Sequence, residues 1–103
     1  MPIAKQEHHR SPELRRSARG ETCTGCGKND GTTVWCHGNE SVFGKGVAIK
    51  SHDLIGFYGC ADCHFFLDRS RASKEAKREF FREAFVKSMV RVAEKLAKGE
   101  LRL

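Results

Sequence analysis

Near the C-terminal end, Phe81, Phe85, Met89, Val92 and Leu96 recur at steps of four and three. That period predicts one long amphipathic helix over about residues 74–98, with a single apolar stripe. Ser73 stands where it can cap the start, and Gly99 where it can stop the helix. The stripe is expected to pack on the core; the alternative is a dimer seam. Earlier in the chain the period shortens to two. Thr32-Thr33-Val34-Trp35-Cys36-His37 is rich in β-branched and aromatic residues and reads as a strand. Alternation puts Thr33, Trp35 and His37 on one face, Val34 and Cys36 on the other. Leu54 to Tyr58 reads as a second strand, His64 to Arg69 as a short helix, and Arg71 to Ser73 as an interruption. Ser11-Pro12-Glu13 is a helix start, with a side-chain cap, a proline at the first helical position and an acid at the positive end of the dipole. This first helix runs through Leu14 and Ala18 to Gly20. Arg15, Arg16 and Arg19 make it basic, either to meet phosphates or to face solvent. Residues 38–53 are glycine-rich and polar, a long irregular loop with a short extended piece at Val47-Ala48-Ile49. Residues 1–10 carry no periodic pattern and read as a flexible N-terminal tail, with His8 and His9 as solvated histidines. Residues 11–103 then form a single α+β domain.

A chain of 103 residues buries a thin core and leans on metal or disulfides for stability. Its five cysteines favour metal, because the count is odd and two CxxC spacings are present. Met1 to Arg19 lacks the apolar run of a signal peptide, and no stretch approaches the roughly 20 apolar residues of a membrane span. An intracellular protein with reduced thiols is therefore expected, and a membrane partner is not. The formal charge is +6; four thiolates around one Zn²⁺ would lower it by about 2. The remaining excess suits nucleic acid, as it also suits many ordinary basic proteins.

The chemistry concentrates in three places. Cys23-Thr24-Gly25-Cys26 and Cys60-Ala61-Asp62-Cys63 supply the four sulfur ligands that tetrahedral Zn²⁺ prefers. The 33 residues between Cys26 and Cys60 are too many for a short DNA-reading finger, so the doublets are expected to staple the two ends of an insert. His64 and Asp68, four apart on a helix, share a face and can chelate Mg²⁺, Mn²⁺ or Zn²⁺, or simply bond to each other. His37, at the end of the first strand, has an unperturbed pKa that suits a base activating water.

The run Cys23-x-x-Cys26, Cys36-His37, Asp53-Leu54-Ile55, Gly59-Cys60-Ala61-Asp62-Cys63-His64 and Asp68-Arg69 resembles the HNH endonuclease pattern with an accessory zinc. It is most similar to the small YbcO-type family of phage and prophage nucleases. There a basic segment like Leu14-Arg15-Arg16-Ser17-Ala18-Arg19-Gly20 precedes the first cysteine. The resemblance spans about residues 14–70. It implies an HNH-like ββα-metal core, flanked here by the basic N-terminal helix and the long C-terminal helix. It further implies His37 as general base, Asp53 in place of the Asn that orients it, and His64 as metal ligand with Asp68 as a second one. Cys36 departs from the pattern, standing where Asp or His usually ligates the catalytic metal; it either binds a softer metal or turns into the core. The activity so implied is metal-dependent hydrolysis of DNA phosphodiesters in a bacterial host cytoplasm, with Lys45, Lys50, Arg69 and Arg71 against flanking phosphates. The alternative is a non-catalytic zinc module that binds DNA or a phage or host recombination or replication protein.

Overall fold

The computed structural model describes residues 11–37 and 54–103. Asp53, Lys45, Lys50, Val47–Ile49 and the tail with His8 and His9 lie outside the described residues. Five elements follow in order: α1 (Pro12–Arg16), β1 (Val34–His37), β2 (Gly56–Gly59), α2 (Ala61–Arg69) and α3 (Lys74–Ala97). Each strand is shorter than its apolar run. The start of α2 lies three residues before the expected His64, because Cys60 is already its N-cap. The caps of the other helices stand where expected. Ser11 Oγ accepts the Leu14 N–H and Ser73 Oγ the Ala76 N–H, each satisfying a donor that the first turn leaves unpaired.

β1 and β2 pair antiparallel, Trp35 opposite Tyr58 and Cys36 opposite Phe57. Both faces of this two-stranded ribbon are covered. Trp35 and Tyr58 join Leu14, Ala18, Val92 and Leu101 in one cluster, their rings edge to face at 5.1 Å. Cys36 and Phe57 join the buried cysteines, Leu67, Phe81 and Ala84 in the other. The α3 helix is long enough to contribute to both, which makes it the spine that the ribbon lies against.

The buried face of α3 differs from the expected stripe. Phe81, Ala84, Ser88, Val92 and Lys95 are buried, whereas Leu96 is 40% exposed and Phe85 and Met89 lie at the flank. Positions 84, 88 and 95 each precede the expected position by one residue. The cause is polar as well as steric. Ser88 Oγ accepts the Tyr58 N–H at 2.9 Å, and Lys95 pairs with Glu21 at 2.6 Å. A helix turned to bury Leu96 would forfeit both contacts. Among the described residues, no helix is long and apolar enough to cross a membrane.

Candidate functional site

The first CxxC sits on a tight turn pinned to β2. Thr24 donates its N–H to Tyr58 O at 2.8 Å, and Gly27 its N–H to Cys23 O at 2.8 Å. The Thr24 hydroxyl meets Ser88 Oγ at 2.7 Å, which fastens the turn to α3. At Gly25 a Cβ would come within 2.5 Å of the Phe80 ring and 3.1 Å of the Cys63 sulfur, so any larger residue would have to push the Phe80 ring aside. The second CxxC is the entry to α2, placed by β2. Thr32, itself held by Asp30, accepts the Ala61 N–H at 2.9 Å and so ties the approach to β1 to the first turn of α2. Lys28 and Asp62 join the two doublets across the surface.

Together these contacts bring one ligand atom from each of Cys23, Cys26, Cys60 and Cys63 within 4.8 Å of one another. The Cys23–Cys63 and Cys26–Cys60 sulfurs are 3.5 and 3.6 Å apart, far beyond the roughly 2.05 Å of a disulfide. Four sulfurs about 2.3 Å from a tetrahedral Zn²⁺ lie about 3.8 Å from each other, so the set fits that ion. Backbone donors prepare it further. Burial alone would raise the Cys23 thiol, but N–H groups of Cys60, Cys26 and Gly25 outweigh it and bring it down to about 7. The same donors favour a metal-bound thiolate. Cys63, buried among the other sulfurs, is pushed up instead; a bound cation would displace its proton.

Cys36 stands apart from this set. It is 2% exposed, its sulfur lies 3.7 Å from Gly59 O, and burial foremost pushes its thiol up to about 12. It is therefore a core residue, the second of the two alternatives the sequence leaves open. The Asp68 carboxylate is close enough to add to that rise. One further glycine is dictated here: a Cβ at Gly59 would stand 2.7 Å from the Cys36 sulfur.

His64 and Asp68 face solvent on α2, half exposed, with Nε2 and Oδ2 2.9 Å apart. His37 is half-buried at the end of β1, opposite Gly56. Arg69 ends α2 and Arg71 follows it, both exposed. Among the described residues, the four cysteines are the one group of three or more metal-ligating side chains within reach of a common ion. The positioning roles of Thr24, Thr32 and Ser88 went unread in the sequence. Only Ser88 leaves a signal there, as a hydroxyl interrupting the apolar face of a helix.

Fold and site thus define a small α+β protein built around a cluster of four cysteines that could hold a metal ion. The model of the family described as "Putative nuclease YbcO" matches residues 12–100, and the chain belongs to that family. Searches of the curated proteins and of the solved structures return no match.

Proposed function

We propose that this protein is a metal-dependent DNA endonuclease of the HNH type, in which the four cysteines are scaffold and the chemistry belongs to His37, His64 and Asp68. The observation that carries this reading is the order of elements around the cysteines. An antiparallel pair with His37 at its first strand's end leads directly into a helix bearing His64 and Asp68. Membership of a family named for nuclease activity supports it.

His37 would take the proton of the attacking water, and Asp53 would orient its ring. His64 and Asp68 would hold a divalent cation, whose chemistry when bound is to stabilise the charge on the pentacovalent phosphate and the leaving 3′ oxygen. Their Nε2 and Oδ2 stand 2.9 Å apart, close enough for both to turn to one such ion. Mg²⁺ and Mn²⁺ match this oxygen and imidazole pair, and Zn²⁺ is the third candidate. Arg69, Arg71, Lys45 and Lys50 would neutralise flanking phosphates, making binding fall with salt.

A second reading is favoured by Cys36. At the position where HNH enzymes commonly place a metal ligand, its thiol is sealed in the core, which suits a zinc module that binds DNA or a recombination or replication protein without cutting. Plasmid nicking with Mg²⁺ or Mn²⁺ separates the two. The nuclease reading expects nicking by the wild type, and a loss of at least about 100-fold in His37→Ala with folding and DNA binding retained. No nicking under any divalent metal would leave the module.

A further inference from the structure

Over its C-terminal half α3 is apolar on its outward side too. The core face takes Ala84, Ser88, Val92 and Lys95, which leaves larger apolar side chains outside. Val86 and Val90 are 56% and 58% exposed, and Leu96 also meets water. Ala93 and Ala97 are exposed beside them, with Phe85 and Met89 half-buried along the margin. At about 3.6 residues per turn, Val86, Val90, Ala93 and Ala97 form one stripe opposite the buried face. The helix cannot turn to bury them, because Ser88 and Lys95 fix its inward face through Tyr58 and Glu21. A helix apolar on both sides is ordinarily covered on both, and a contiguous exposed apolar patch marks an interaction surface.

The charges beside the stripe identify what covers it. Glu83, Lys87, Glu94 and Lys98 border one edge, all exposed, at successive steps of four, seven and four. Reversed, that order is its own complement. An antiparallel copy sets Glu83 against Lys98 of the second chain and Lys87 against its Glu94, whereas a parallel copy sets like against like. Glu94 meets Arg91 at 3.3 Å yet stays half exposed, open to a second cation. In the same register Val86 faces the gap between Ala93 and Ala97 of the other copy, Phe85 faces Leu96, and Val90 meets its counterpart near the two-fold axis. We propose that α3 is a dimer interface, packed antiparallel against α3 of a second copy of this chain through Val86, Val90, Ala93 and Ala97. Such an isologous contact closes on itself and stops at two copies. It stands independently of the nuclease reading.

The test is sedimentation equilibrium of the zinc-loaded full chain over a dilution series. The wild type should approach twice the chain mass as concentration rises and dissociate on dilution. Val90→Glu brings two like charges together near the axis and should raise the dissociation constant at least about 100-fold. Because Val90 is exposed, that variant should keep its zinc and its far-ultraviolet circular dichroism. Phe65→Ser, which removes a similarly exposed apolar side chain from α2, should leave the constant unchanged. Glu83→Lys turns two attractions into repulsions and should weaken the dimer about 10-fold; adding Lys98→Glu reverses the partner charges and should restore it. A monomer throughout the micromolar range overturns the proposal, as does a dimer that Val90→Glu leaves intact or that Phe65→Ser weakens equally. A dimer indifferent to Glu83→Lys, or a defect that Lys98→Glu fails to relieve, overturns the antiparallel pairing.

Discussion

Cys60 and His64 are one turn of α2 apart, yet their losses should differ in kind. Cys60 is wholly buried in the core that also holds Phe57, Leu67 and Phe81; replacing it removes one of the four clustered sulfurs and opens that core at once. We expect Cys60→Ser to lose zinc and cooperative unfolding, measured by metal content and a thermal melt. His64 is half exposed and pairs with Asp68 one turn on in the same helix, an exposed pair worth about 0–1 kcal/mol. His64→Ala should hold one zinc per chain, melt near the wild type and fail to nick plasmid. Thr33 supplies the converse case, a residue kept at some cost to stability. Thr33→Val retains its shape and removes the orphaned hydroxyl, so the free protein should melt at the wild-type temperature or higher by calorimetry. A clear drop would mean that the hydroxyl has a structural partner.

Among the elements, α3 shows what a sequence pattern carries and what it leaves out. Its existence, span and capping are legible because a 24-residue helix repeats its period often enough to be unmistakable. Its buried face was not, because hydropathy favours Leu96 over Lys95 and Met89 over Ser88. Tertiary hydrogen bonding reverses both choices. The four-cysteine cluster was legible for a different reason, that CxxC spacing encodes ligand geometry locally. The places of His37 and Asp68 relative to each other were not, since they depend on how the ribbon packs against α2. Ser88 is where the polar interruption of α3 can be measured. Ser88→Ala would strip the buried Tyr58 N–H of its acceptor and the Thr24 hydroxyl of one partner. It should cost about 1–3 kcal/mol, a fall in Tm of several degrees for a domain of this size. Zinc should remain bound, since Thr24 keeps its bond to Tyr58 O.

Across the whole molecule, a polar latch joins the segment entering the first CxxC turn to the last turns of α3. Lys95 Nζ pairs with Glu21 and donates to Ser17 O at 3.0 Å, 5.0 Å above the Tyr58 ring; Arg91 forks onto the same carboxylate. The Lys95 and Glu21 side chains are only 10% and 12% exposed, so the pair is largely shielded from water. Burial would raise the Glu21 carboxyl, but the bonds and charges of Lys95 and Arg91 outweigh it and hold it below the ordinary range. A carboxylate depressed in the folded state adds stability above its unfolded pKa of about 4.3, and that stability is lost as pH falls through the lower folded value. Glu21→Gln removes the charge and leaves the buried Lys95 ammonium without its carboxylate, a change worth about 3–5 kcal/mol when one partner of a buried pair is deleted. The variant should therefore melt well below the wild type at pH 7 in excess zinc. Acid release of zinc weakens both proteins alike, so the difference between their melting temperatures isolates the latch. That difference should hold constant from pH 7 to about 5 and shrink as the pH falls below about 4. A gap independent of pH throughout would show that Glu21 acts through shape and hydrogen bonding, not through its charge.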